Sequence, residues 1–290
     1  MTAANVITGA LVLSIFLIVF SLGLKASLDD ALFLFRRPML LARAVAAIYV
    51  VVPAFAIALS LIFPLSPPAI FALIALAISP IPPVLPLKEM KVGADRQYAV
   101  GLLVAAAFVA LVMTPLLLEI AAHILKAEAH IAPGRIARTL LVSIALPLTT
   151  GMALRGIAPK LAETVHRYTS KGGMALLLGG FVLVLMSEWR VIVGLIGDGT
   201  VFAIIAVVIV GLAAGHLLGS GSEGHRAALA LAAATRHPGV AIAIAAVNFP
   251  DQQRVLTAAV LLFLITNLIV TIPYIQWIKA RTRVRARATG

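Results

Sequence analysis

Cysteine is missing from all 290 positions, which excludes disulfides, thiolate metal sites and a cysteine nucleophile. Charge is scarce: Asp, Glu, Lys and Arg make up 12% of the residues, about half of what a soluble domain carries. Acid is scarcest, with 11 Asp and Glu against 23 Lys and Arg. There is no HExxH, no GxSxG and no pair of aspartates within an apolar run, so an intramembrane enzyme would lack a nucleophile or an activated water. The Gly-rich stretch AGHLLGSGSEG at 214–224 has neither the Lys nor the spacing of a phosphate loop and reads as a linker. The chain is therefore not expected to be an enzyme.

What is present is apolar surface. Hydrophobic residues reach 62% with a mean hydropathy of +1.11, the balance of a polytopic, all-α membrane protein with lipid as its main neighbour. At about 20 residues per crossing, the apolar runs divide into nine spans, roughly 5–24, 40–63, 68–91, 98–122, 137–157, 172–189, 199–219, 226–248 and 254–278. No Lys or Arg precedes the first run and no small-residue cleavage site follows it, so it is expected to be retained as a span. Counting Lys and Arg on alternate sides gives 17 on one and five on the other, with Arg236 left inside. The positive-inside rule then places the N-terminus outside and the C-terminus in the cytoplasm of a plasma or bacterial-type inner membrane. The net charge of +12 thus needs no nucleic-acid partner, and the basic tail KARTRVRARATG reads as an anchor near anionic headgroups. After the first span, Ser27 is placed to cap a short surface helix with Asp29 and Asp30 in its first turn and Arg36 and Arg37 in its last.

Two spans carry proline where a helix interior does not tolerate it. SPIPPVLPLKEM at 79–90 has prolines at 80, 82, 83 and 86, and ATRHPGV has Thr235, Arg236 and His237 before Pro238 and Gly239. Proline lacks an amide donor and clashes with the preceding turn, so both helices are expected to break, at 79–86 and 235–239. Backbone freed in a membrane has to be buried in protein or line a wet cavity. Pro82 lies 13 residues before Asp95, and Pro238 lies 13 before Asp251. The common offset of 156 superposes the third and fourth spans on the eighth and ninth. By the orientation above the copies are inverted: a first repeat, 1–125, of four spans and a second, 135–282, of five, within a single transmembrane domain. Broken helices at matching places in inverted halves are the sequence sign of a central transporter site.

The expected site is built from Ser79, Pro83, Thr235, Arg236, His237 and Gly239, with Pro82, Pro86 and Pro238 making the breaks. Half-helices restarting near Pro83 and Gly239 would aim positive N-terminal ends at the crossing. Arg236 would repel a cation 5 Å away by about 3 kcal/mol at an effective dielectric near 20 and attract an anion equally. A carboxylate-type small organic anion is the expected ligand. Arg236 either meets that ligand or is a structural cation neutralised by Glu89. His237 either relays a proton or bonds carbonyls released by Pro238. Lys88, Glu89 and Lys91 read as a snorkelling, solvated face.

These stretches resemble the bile acid:sodium symporter family. The likeness runs through FSLGLKASLDDALFLFRRP, YVVVPAFAIAL, the broken segment ending KVGADRQYAVGL, and HPGVAIAIAAVNF, and so covers nearly the whole chain. It implies a panel domain and a core domain, with spans three, four, eight and nine in the core. In sodium-coupled members the first broken helix offers a Ser-Asn pair, and the second a glutamate followed four residues later by a glutamine, then an asparagine. Those positions here are Leu85 and Pro86, Ala232 and Arg236, and His237. The resemblance therefore implies that both sodium sites are dismantled, and no metal or other cofactor is expected.

The function expected is secondary transport of an organic anion by alternating access, coupled to protons through His237 or independent of sodium. The alternatives are a sodium symporter using Thr235 and backbone carbonyls, an uncoupled carrier, an anion channel or a membrane sensor. Whether the chain works as a monomer or a homodimer stays open. Elsewhere, Glu119, His123 and His130 are too few for a metal site and read as interfacial. His216, Glu188 and Arg190 read as helix-end residues, and Gly172-Gly173 and Gly179-Gly180 as close helix contacts.

Overall fold

The computed structural model describes residues 3–126, 129, 131–197 and 199–288, with side chains undescribed at 3–5, 283 and 285–288. His130, the third member of the outer polar cluster, lies outside the described residues, as do the side chains of Arg283, Arg285 and Arg287 in the basic tail. The elements are α1 (Ala3–Gly23), α2 (Leu28–Ala31), α3 (Pro38–Ile62), α4 (Pro67–Ala77), α5 (Leu85–Lys91), α6 (Arg96–Leu125), α7 (Pro133–Ile157), α8 (Pro159–Gly194), α9 (Thr200–Leu218), α10 (Glu223–Ala234), α11 (Pro238–Asn248) and α12 (Gln253–Ala288). The architecture is all-α. Among the described residues, eight helical stretches are long and apolar enough to cross a membrane, with α10 and α11 counted as one.

The expected third span is not one of the eight. It is divided into α4, of 11 residues, and α5, of seven. At 1.5 Å per residue these are about 16 Å and about 10 Å long, each well short of a hydrocarbon core of about 30 Å. The first stop falls earlier than the prolines alone suggest, after Ala77. The restart comes at Leu85 rather than Pro83, with Pro86 inside its first turn. Pro86 therefore starts a helix instead of breaking one, and Pro238 does the same for α11. A missing N–H costs nothing at the first turn, where that donor has no helical partner. Proline also acts on α3 and α7, where π-helical turns at Ala46–Val51 and Leu141–Ala145 come just before Pro53 and Pro147. Other chain breaks follow local capping. Ser27 and Asp30 form a capping box, although the helix they open is only four residues long.

Packing divides the helices into two groups. In one, α1 lies along α8 and crosses α7. A Cβ on Gly173 would sit 3.0 Å from Ile18 Cγ1, and one on Gly23 would sit 3.1 Å from the Cα of Gly151, while Gly172 and Gly179 face open space. Of the paired glycines, only Gly173 and Gly180 make close contacts. The second group gathers α3, α4, α5, α6, α9, α10, α11 and α12. Here α9 packs on α10 through Gly211 and Gly215, whose Cβ positions are filled by the Ala233 and Leu229 backbone. Gly215 is thus a packing residue, and the linker shortens to a turn at 219–222 ending in the cap Ser222. The sixth crossing is longer than its apolar run: α8 is continuous over 36 residues from Pro159.

Within the second group α4 packs on α11, and α5 on α10. The two interrupted segments therefore run in opposite directions past one another, and their non-helical residues meet. Residues 227–234 of α10, all of them Ala or Leu and exposed by 2% or less, lie at the centre of this packing.

Candidate site where the interruptions meet

The junction is held by hydrogen bonds between the two non-helical stretches. The amide of His237 donates to the carbonyl of Pro80 at 2.8 Å. Arg236 Nη1 donates to the carbonyl of Ser79 at 3.2 Å, and Nη2 to Ala233 O at 2.8 Å. These are carbonyls that lost their helical partners when α4 and α10 stopped, so the backbone left over by proline becomes the guanidinium's ligand set. Two further orphan carbonyls sit at matching places, Ile78 and Ala234, 156 residues apart. Thr114 Oγ1 on α6 donates to Ile78 O at 2.8 Å, and Asn267 Nδ2 on α12 donates to Ala234 O at 2.9 Å.

Arg236 has no solvent-exposed surface, and its Nε has no hydrogen-bond partner. No carboxylate lies within ion-pair distance of it among the described residues. The pairing with Glu89 expected from the sequence is therefore absent. Glu89 is itself fully buried on α5, with neither carboxylate oxygen partnered, which also corrects its reading as a solvated residue. Lys91 is exposed and Lys88 half-buried, so the solvated face belongs to the lysines alone. A Lys-Glu-Met-Lys string looks like surface because its one buried position carries the acid.

His237 has a structural job. Its Nδ1 accepts a long bond from the Val240 amide, 3.4 Å, as the N-cap of α11. The ring proton then belongs on Nε2, 3.3 Å from Ser143 Oγ on α7. Ser143 in turn donates to Thr139 O at 2.7 Å. Gly239 is next to this ring, since a Cβ there would come 3.1 Å from His237 Cε1. Thr235 Oγ1 is turned toward Asn267 Oδ1 at 3.4 Å, and Ser79 Oγ back to Ala75 O at 2.6 Å. Pro82 and Pro83 are buried in the first non-helical stretch and offer no hydrogen-bonding atom of their own beyond a carbonyl. Of the expected residues, then, Ser79, Thr235, Arg236, His237 and Gly239 come together, and Glu89 does not join them.

Asn267, Thr114, Ser143 and the buried Tyr49, whose hydroxyl donates to Ala106 O at 2.7 Å, escaped the sequence reading. A lone polar residue in an apolar run was the only signal for Asn267 and Thr114. Below the junction, Asp95 caps α6 by accepting from the Tyr98 amide at 2.7 Å and pairs with His225 Nε2 at 2.6 Å. Burial pushes the Asp95 carboxyl up, but the Tyr98 amide, the His225 ring and Arg37 together outweigh it and hold the group below its ordinary value. Asp251, 156 residues on, has no comparable setting: it lies exposed in a 3₁₀ turn, Pro250–Gln252.

Beside the junction, an apolar groove of about 640 Å³ runs between α6 and α7, lined among others by Phe108, Leu111, Leu140 and Ile144. Arg138 is its one charged lining residue. Elsewhere, Glu119 and His123 are exposed, His216 meets the Tyr274 hydroxyl at 2.8 Å, and Glu188 accepts from Arg254 at 3.0 Å.

The fold and junction define a polytopic helical membrane protein whose interior holds a buried cation between two interrupted segments. The chain belongs to the Sodium Bile acid symporter family, whose pattern it matches over residues 12–195. Members of that family are secondary transporters rather than enzymes. The matched region contains the first interruption and ends before α9, so it does not reach the second. No curated protein matches the sequence.

Proposed function

We propose that the protein is a secondary transporter that moves a small organic anion of the carboxylate type by alternating access, with Arg236 as the anion's counter-charge. The single observation behind this reading is the guanidinium itself: completely buried, held by one carbonyl from each interrupted segment, its Nε–H unused and no carboxylate within ion-pair distance among the described residues. Carbonyl dipoles orient such a charge but do not neutralise it, and a buried cation without a counter-ion is costly. An anion arriving at the junction supplies that counter-ion. The positive end of α11, which starts two residues after Arg236, adds to the attraction.

The same residues argue against sodium. Leu85, Pro86, Ala232, Arg236 and His237 occupy the positions where sodium-coupled relatives carry oxygen ligands, and the hydroxyl of Thr235 is turned toward Asn267. His237 holds its ring by capping α11, so proton coupling, which we retain, is assigned to another group below. The two interrupted segments with the long helices after them, α4 to α6 and α10 to α12, form an inverted repeat in this reading. The α1, α7 and α8 group corresponds to the family's panel, the unpaired α7 included, and the remaining helices to its core. This division gives nine crossings, with α4 and α5 together making the third.

A thermal-shift screen of purified protein against formate, acetate, lactate and benzoate, with and without sodium, tests the site. Stabilisation by one or more anions that is independent of sodium and lost in Arg236→Gln is the expected result. Equal stabilisation of Arg236→Gln by every binding anion would overturn it.

A further inference from the structure

We infer that Glu89 carries the coupling proton, one for each monovalent anion held at Arg236. The inference rests on the anion reading above and adds the identity of the coupling ion and its carrier.

Glu89 sits on the half-helix that restarts after the first interruption. It has no exposed surface, and neither carboxylate oxygen meets a donor. An unpartnered acid at such depth calls for an explanation, and inside a membrane protein the usual one is a proton pathway. The charged groups on neighbouring elements are already engaged or turned away. On α6, Arg96 donates to the Lys25 carbonyl at 2.9 Å, and the buried Tyr98 ring stacks on His225 at 4.2 Å. On α10, His225 pairs with Asp95, Glu223 lies 3.8 Å from Arg281, and Arg226 is exposed. Lys88 and Lys91, one before and two after Glu89 on its own helix, face other directions.

Glu89 and Arg236 are thus two opposite ionisable groups, one on each interrupted segment, buried and not paired with each other. Their charges close in only two ways. With an anion on the guanidinium, Glu89 has to be the neutral acid. Without an anion, the carboxylate balances the guanidinium once the acid proton has left to water on the open side. Both states bury no net charge, so both can reorient. An anion without a proton, or a proton without an anion, leaves one charge uncompensated in a dry interior. The consequence is electroneutral symport of one proton with one monoanion, and obligatory coupling without any metal ion.

The experiment uses the purified full chain and the same four anions. Each anion that gives a thermal shift is added to wild-type protein in weak buffer with a pH indicator, and uptake of one proton per protein is expected. Glu89→Gln, the carboxamide of the same size, binds the anion and takes up no proton, and Glu89→Asp keeps the uptake. Should Glu89→Gln not fold, Glu89→Met fills the same dry space. In proteoliposomes an inward pH gradient is expected to speed the initial uptake of lactate, the least membrane-permeant of the four acids, above the rate in protein-free liposomes for wild type and not for Glu89→Gln. If none of the four anions binds, the anion site fails and this inference with it. If an anion binds wild type without proton uptake, or if Glu89→Gln takes up the proton as well, the inference fails alone.

Discussion

The two interruptions are close in design and opposite in content. The first is spread over seven residues, with three prolines and no charged side chain, and it supplies acceptors: the carbonyls of Ile78, Ser79 and Pro80. The second is three residues long and supplies donors, the Arg236 guanidinium and the His237 amide. The bonds join places one position out of register, since at the offset of 156 Arg236 corresponds to Pro80 but bonds Ser79, and His237 corresponds to Ile81 but bonds Pro80. In the repeat we propose, the first segment is the socket and the second the plug. The charge of the junction is set by one segment alone.

The largest test of that asymmetry removes the plug. Arg236→Gln is expected to weaken anion binding about 30-fold, the equivalent of losing about 2 kcal/mol of charge-assisted bonding. A titration by thermal shift checks it, and an unchanged affinity would overturn Arg236 as the anion's counter-charge. Next come the paired supports. Asn267→Leu strips the Ala234 carbonyl and Thr235 of their partner and is expected to cost about 2 kcal/mol of stability, and Thr114→Val at the Ile78 carbonyl about 1 kcal/mol. Unfolding midpoints in detergent measure both. Equal losses would mean that the charged junction needs no more support than the neutral one.

Ser143→Ala removes the partner of the His237 ring and is expected to cost about 1 kcal/mol while leaving the pH dependence of transport in place. A pH profile displaced by this change would return the proton to His237. The smallest effect separates the two matching acids. Asp95 is a cap with a depressed carboxyl, so its contribution is complete above the ordinary value of about 3.9 and is lost as pH falls through the lower folded value. Asp95→Asn should lower stability at neutral pH by less than about 1 kcal/mol and flatten the acid limb of the stability curve. Asp251→Asn should change neither.

The chain showed its membrane character and the places where helices stop because both depend on local chemistry: apolar length for the first, proline for the second. Arg236 stood out for the same reason, as a cation at a depth where cations are rare. What escaped depends on partners far away in the chain. Asn267 is 33 residues from the carbonyl it holds, Thr114 is 36 and Ser143 is 94 from His237, and none sits in a pattern that distinguishes it from an ordinary polar residue in a helix. Glu89 misled in the other direction. Flanked by lysines and four residues from a glycine turn, it has the look of a surface acid, and only packing against α10 puts it inside. Pro86 and Pro238 were recognised as disruptive, but whether a proline ends a helix or begins one depends on where the preceding turn has already stopped.

The guanidinium bridge also limits how this molecule can change shape. It fastens the carbonyl of one segment to the loop of the other, and prising them apart would strand a cation in a space without water. The eight helices around that rivet are therefore bound to travel as a block. Any large motion is left to the seams where α7 meets α6 and α11 and where α8 meets α12, fastened by the Ser143 hydroxyl on the His237 ring and by the Glu188–Arg254 ion pair.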